Sequence, residues 1–258
     1  MRTAASGMIA QQMNVDVVAN NLANVNTTGF KRSSLQFQDV LYQQIKPAGV
    51  STGGTSLRPV ALDVGYGSRP SATDRLFSVG NIQPTGNPLD IMIEGNGFLQ
   101  VLLPDGTTAF TRDGALKMDA EGTLVTSDGY ILQPEITIPD DATNISIQVD
   151  GRVEVLIVGD DQPQEVGQIE LARFINPAGL TAMGRNLFAE TAASGNPILG
   201  NPGTDGLATL NQGYLEMSNV EVVEEMVKMI VAQRAFEINS KAVQTSDQMA
   251  ELANNMRR

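Results

Sequence analysis

The chain of 258 residues contains no cysteine, no histidine and no tryptophan. Without cysteine there is no disulfide framework and no thiolate chemistry. Without histidine there is no Ser-His-Asp triad and no imidazole-ligated metal. Aromatics are scarce, with eight Phe and four Tyr. No run approaches the roughly 18 to 20 apolar residues of a membrane span, so membrane insertion is not expected. The start lacks a basic region leading into an apolar run and a small-residue cleavage site, so any export is expected by a route without a cleaved signal.

Basic charge is also thin, and the formal net charge is −12. Residues 1–32 carry three bases and one acid, residues 217–258 five bases and six acids, and the middle holds −13. No basic patch with interleaved aromatics is present to neutralise phosphates, which argues against nucleic acid as a partner. The two ends are nearly neutral. That suits dense packing of like copies, which would otherwise repel one another.

Those ends are the most patterned part of the chain. Met1, Ala4, Met8, Val15, Val18, Leu22 and Val25 recur at three- and four-residue steps, interrupted by Gln11, and predict an amphipathic helix over residues 1–25. Val222, Met229, Phe236, Val243 and Ala250 recur every seven residues and predict a second helix over 219–256. Asn219 is the expected cap, Glu221, Glu224 and Glu225 suit the positive end of the dipole, and Arg257 and Arg258 the negative end. At 1.5 Å per residue the helix would be roughly 55 Å long. The flanking columns Ala232, Asn239, Ser246, Ala253 and Gln233, Ser240, Asp247, Asn254 are small or amide-bearing. They allow close approach and lateral hydrogen bonds to several partners. An ordinary antiparallel hairpin closing one domain fits the pattern equally.

Between the ends the chain reads differently. Residues 33–70 open on Leu35, Phe37, Val40 and Leu41, helical or extended, and pass into the Gly/Ser/Thr-rich stretch Lys46 to Thr55, which reads on composition as a flexible linker. From 71 to 216 the punctuation is all-β, with turns expected at Asp105-Gly106, Asp113-Gly114, Glu121-Gly122, Asp128-Gly129 and Asp150-Gly151. Strand-like runs are Phe98–Leu103, Thr107–Arg112, Thr123–Thr126, Asn144–Val149, Val153–Val158 and Ile169–Ile175, and Asn176–Asp205 should be loop-rich. Chemical motifs are weak. The acidic turns lack a calcium-repeat pattern, and Asp90 with Glu94 has no aromatic sugar-binding surround for a glycosidase pair. Gly95-Asn96-Gly97 is too short for a phosphate loop. No catalytic residue, cofactor or metal is predicted.

Local words at both ends carry a family resemblance. Asp16-Val17-Val18-Ala19-Asn20-Asn21-Leu22-Ala23-Asn24-Val25-Asn26-Thr27-Thr28-Gly29-Phe30-Lys31-Arg32 resembles the signature of bacterial flagellar rod and hook proteins. Met217 to Val227 and Gln233 to Lys241 resemble the matching C-terminal signature. Asn20, Asn21 and Asn24 suit a helix that bonds a neighbouring subunit, and Gly29 turns the chain. Ile93-Glu94-Gly95-Asn96-Gly97-Phe98 and Phe110-Thr111-Arg112-Asp113-Gly114 resemble the distal-rod branch of that family. The start at Met1-Arg2-Thr3 lies close to the family's helix, so a few residues are expected to be missing or the start site to differ.

The resemblance implies an α+β fold: long N- and C-terminal helices pairing as a coiled-coil-like layer, a central all-β domain and an extended arm. The implied domains are the N-terminal helix at 1–32, the arm at 33–70, the β domain at 71–216 and the C-terminal helix at 217–258. The arm reading replaces the linker one. The implied function is structural, a rod subunit polymerising into a hollow, torque-transmitting tube across the periplasm. The implied partners are copies of itself, proximal rod and hook or hook-junction subunits, ring bushing proteins and the type III export apparatus. Expected subunit contacts are Met8, Val15, Val18, Asn21, Leu22, Met226, Met229, Ile230, Phe236 and Val243. The arm adds Lys46, Pro47, Gly53, Gly54, Leu57, Leu62 and Gly65. A proximal rod or hook subunit would share these ends, and a secreted glycan-active enzyme is the alternative of another class.

Overall fold

Apolar periodicity at the two ends becomes helix, and the Gly-punctuated middle becomes strands, in a computed structural model that describes residues 2–49, 60–157, 162–204 and 206–256. Met1, Gly53, Gly54, Leu57, Arg257 and Arg258 lie outside the described residues. The chain divides into two units. One comprises residues 1–23, 33–74 and 221–258, the other 24–32 and 75–220.

In the first unit, helix α1 (Arg2–Ala23) packs against helix α2 (Val222–Asn255). Asn21 meets Glu225 and Gly7 meets Asn239, so the helices are antiparallel. This register sets Arg2 opposite about residue 244, and the last three turns of α2 run on past the end of α1. The seam is narrow: Ala10, Val18 and Asn21 are buried on α1, and Glu225 and Ala232 on α2. The expected stripe of α2 is therefore rotated. Glu225, Ala232 and Asn239, spaced by seven, face α1, whereas Phe236 stays 37% exposed. Small side chains let the backbones approach. At Gly7 a Cβ would stand 3.0 Å from the Asn239 amide nitrogen.

Asn219 does not cap α2. Glu221 holds the cap position, because the Asn219 side chain is committed to the backbone of Arg32, Leu76 and Ser78. Acidic residues in the first turn of α2 are Glu224 and Glu225, the favourable placement for the dipole.

Residues 33–70 contain no helix among the described residues. Strands β1 (Ser33–Asp39) and β2 (Tyr42–Lys46) pair with β4 (Ser68–Arg75) and β3 (Leu62–Gly65). The β2–β3 register matches Tyr42 to Gly65, Gln43 to Val64 and Gln44 to Asp63. Val40 N–H donates to the Gly67 carbonyl at 2.9 Å and Tyr66 N–H to Leu41 at 3.3 Å, so the two ladders join into one long two-stranded ribbon. The β-branched and aromatic residues at Val40, Tyr42, Ile45, Val64 and Tyr66 favour that extended backbone.

The second unit holds the main core. Phe98–Leu102 is its central strand. It pairs antiparallel with Thr108–Thr111 on one side and with Ile131–Gln133 and Leu171–Arg173 on the other. Ile91, Ile93, Leu99, Val101, Leu132 and Leu171 fill the interior at 1% exposure or less, with Val153 and Val155 of the strand Arg152–Ile157 and with Ile169. A second cluster stacks Phe98, Phe110, Phe174 and Phe188 edge to face. Gly106, Gly122, Gly129 and Gly151 take the positive φ that their turns require. Gly114 does not form such a turn. A Cβ there would come 1.7 Å from the Ile91 carbonyl oxygen, so this glycine serves close backbone approach. The segment expected to be loop-rich contains three short strands, Thr181–Gly184, Leu187–Ala189 and Ile198–Gly200, which extend the sheet.

Candidate assembly surfaces

The two-helix unit hides little of its apolar surface. Val222, Val223, Met226, Val227, Ile230, Val231 and Ile238 of α2 are exposed by 38 to 69%. At 100° per residue, all but Val222 fall on the side of the helix away from the Glu225, Ala232 and Asn239 seam. Ile9 and Met13, one turn apart on α1, are also exposed. On the ribbon, alternation puts Leu41, Leu62, Val64 and Tyr66 on one face, every one of them exposed, and Ile45, at a register shift between Gln44 and Lys46, is exposed as well. Single surface hydrophobics are ordinary, but contiguous ones mark interaction sites.

The expected contact residues fall into four groups. Met226 and Ile230 lie on the outward face of α2. Val15 and Phe236 come together with Gln12, Gln233 and Glu237 around an open, largely apolar groove of about 500 Å³. Met8, Leu22, Met229 and Val243 are half-buried. Val18 is buried in the helix pair and does not reach the surface. Asn21 is likewise used up within its own chain. Its amide donates to the Ser33 carbonyl at 2.8 Å and to Glu225 at 3.0 Å, and its oxygen accepts the Ser33 N–H at 3.0 Å. A buried amide with these partners is not available to a neighbour. In the ribbon Lys46, Pro47 and Leu62 are exposed and Gly65 is covered by the Tyr42 ring.

Val223, Val227, Val231 and Ile238 were missed by the seven-residue reading of α2. Their own i, i+4 and i+7 spacing was the available signal. Also missed was a buried charge cluster in the second unit. Lys31, Arg112 and Glu216 have side chains no more than 1% exposed. Lys31 donates to Glu216 Oε1, and Arg112 Nε donates to Glu216 Oε2 at 3.0 Å. The rest of the guanidinium donates to the carbonyls of Ile93, Gly95 and Gly97. Burial first, and then Arg112 nearby, lower the Lys31 pKa to about 8 despite the pull of Glu216. Two buried cations share one carboxylate.

Asp90 accepts a hydrogen bond from Asn87 and Glu94 one from Asn211, and each is engaged locally. Among the described residues no group of three or more acidic, His or Cys side chains could hold a metal. No described helix is long and apolar enough to cross a membrane.

Similarity to known proteins falls on the same parts of the chain. Residues 1–31 match the model of the flagella basal body rod protein family, 92–155 that of the flagellar hook protein FlgE/F/G D1 domain, and 211–256 that of the flagellar basal body rod FlgEFG protein C-terminal. A flagellar basal-body rod protein FlgG from Borreliella burgdorferi is 55% identical over 99% of this chain and 97% of its own length. The chain belongs to the flagellar basal-body rod protein family. The rod protein FlgG of Caulobacter vibrioides is 49% identical over 100% of this chain and 98% of its own, and that of Bacillus subtilis 41% over 98% and 97%. Family membership makes this a structural, non-enzymatic protein of the distal rod in the flagellar basal body.

Proposed function

We propose that the chain polymerises through its terminal helices and ribbon into a rigid hollow tube that transmits motor torque to the hook and leaves an export channel at its axis. The observation that carries this reading is the outward apolar face of α2, where Met226, Val227 and Ile230 remain exposed in a single chain. Leaving some 25 cal/mol per Å² of apolar surface in water is unfavourable, and sister copies remove it. The near neutrality of the ends lets many copies pack side by side. A contact between unlike faces of successive copies builds a helical polymer where its rotation does not close a ring.

In this reading Met8, Val15, Leu22, Met226, Met229, Ile230, Phe236 and Val243 contribute to subunit contacts, with the ribbon as a second set. The acidic β-rich unit forms the outer layer. Copies at the two ends of the tube meet proximal rod subunits and hook or hook-junction subunits, ring bushing proteins surround it in the periplasm, and the type III export apparatus delivers new subunits. Electron microscopy of the purified chain after prolonged incubation tests this: hollow tubes are expected. The double variant Met226→Asp/Ile230→Asp should stay monomeric with its β-rich unit folded. A parent chain that remains monomeric at every concentration would remove the proposal.

A further inference from the structure

Three stretches of chain, 29–32, 76–80 and 216–219, lie where the polypeptide enters or leaves the β-rich unit, and all three are stitched together by a few side chains. Asn219 accepts the Arg32 N–H at 2.7 Å and donates to the Leu76 carbonyl at 2.8 Å and to Ser78 Oγ at 3.0 Å. Lys31 donates to the Ser78 carbonyl at 2.7 Å as well as to Glu216. Glu216 Oε1 also accepts the Gly80 N–H at 2.9 Å, while Oε2 is held by Arg112. Backbone bonds run alongside, from Leu76 N–H to Arg32 and from Gly29 N–H to the Glu216 carbonyl. Gly80 and Gly29 permit the approach. A Cβ on Gly80 would collide with the Met217 carbonyl oxygen, and one on Gly29 would stand 2.8 Å from the backbone of Arg112 and Asp113.

Burying charge is a poor way to gain stability, because the cost of desolvation offsets the attraction. What a saturated network does provide, buried at Lys31, Arg112 and Glu216 and half-buried at Asn219, is a single geometry, since every partner must be present to satisfy the others. We propose that Lys31, Glu216 and Asn219 are positioning residues of a joint that binds three of the four chain crossings into one piece, with Arg112 anchoring Glu216 to the β-sheet. Force arriving through any one of these three is then shared by the others, which a lone extended strand could not do. The existence of the joint does not depend on polymerisation. Its mechanical use rests on the tube reading above.

Amide hydrogen exchange on the full-length chain separates the two. Asn219→Ala and Lys31→Met should speed exchange at least tenfold in 29–32, 76–80 and 216–219 and leave Phe98–Leu102 and Thr108–Thr111 as protected as in the parent. Lys31→Arg, which keeps the cation, should restore most of the protection. Parent-like exchange at all three crossings, or an equal rise over the whole unit, overturns the joint. If Lys31→Met does not fold, Asn219→Ala decides, since it removes no charge. In assembled material, tubes of Asn219→Ala with a poorly ordered β-rich unit support the mechanical use, and tubes as ordered as the parent's overturn it. A parent that forms no tubes counts against polymerisation, and the exchange result still decides the joint.

Discussion

Lys31 shows how a single residue can be misjudged from its type. In the sequence it is one of three bases in residues 1–32 and carries no sign of a partner. In the structure its ammonium is buried against Glu216, a carboxylate it shares with Arg112, and its pKa falls from 10.5 to about 8. The folded pKa lies below the unfolded one, so between about pH 8 and 10.5 the unfolded chain binds more protons and stability rises with pH. Urea unfolding of the β-rich unit is expected to show a gain on the order of 3 kcal/mol across that window, since each pH unit separating the folded and unfolded pKa is worth about 1.36 kcal/mol. Lys31→Met should flatten the rise, and a rise of parental size in that variant would dissociate it from Lys31. Glycines divide in the same way. Gly129, at φ 83° with open space around it, should tolerate alanine at a cost of about 1 kcal/mol. Gly114→Ala should cost several times more because the added methyl meets the Ile91 carbonyl. Equal midpoints for the two variants in denaturant would refute that distinction.

At the level of elements, α2 carries two faces with different jobs. The seam face is small and polar, with Ala232 and Asn239 against α1, and the outward face is apolar. Ala232→Leu should overpack the seam and weaken the helix pair by roughly 1 to 3 kcal/mol, seen as an earlier loss of helical circular dichroism on heating. An unchanged helical transition would mean that Ala232 is not at a tight contact. Phe236→Ala belongs to the other face of the problem. Because the ring is only partly covered in a single chain, truncation should cost the free helices about 1 kcal/mol, well short of the roughly 3 to 5 kcal/mol of a fully buried ring. Its larger effect is expected on assembly, read as a raised critical concentration for tubes. The ribbon is in a similar position. A two-stranded sheet is marginal by itself, and in the proposed tube neighbouring copies would supply the missing cover.

For the whole molecule, the proposed polymerisation would divide stability between the chain and its neighbours. The β-rich unit has its own core and should melt independently of concentration, whereas the helices and ribbon should gain stability as tubes form. Deleting residues 46–63 is expected to leave tubes that bend more easily, measured as a shorter persistence length in electron micrographs. An unchanged persistence length would separate the ribbon from stiffness.

The sequence by itself determined the helical ends, the all-β middle and the family, because apolar periodicity, Asp-Gly turns and the terminal words are local properties of the chain. It also excluded thiol and histidine chemistry by composition alone. Which face of α2 meets α1 was decided only by tertiary structure, since a heptad of large residues and a neighbouring column of small ones are equally regular, and close approach selected the small one. The same holds for Asn21, Asn219 and Lys31. Their partners lie 12 to 204 residues away along the chain, and a polar side chain that looks free in one dimension finds its hydrogen bonds only when the fold brings those segments together.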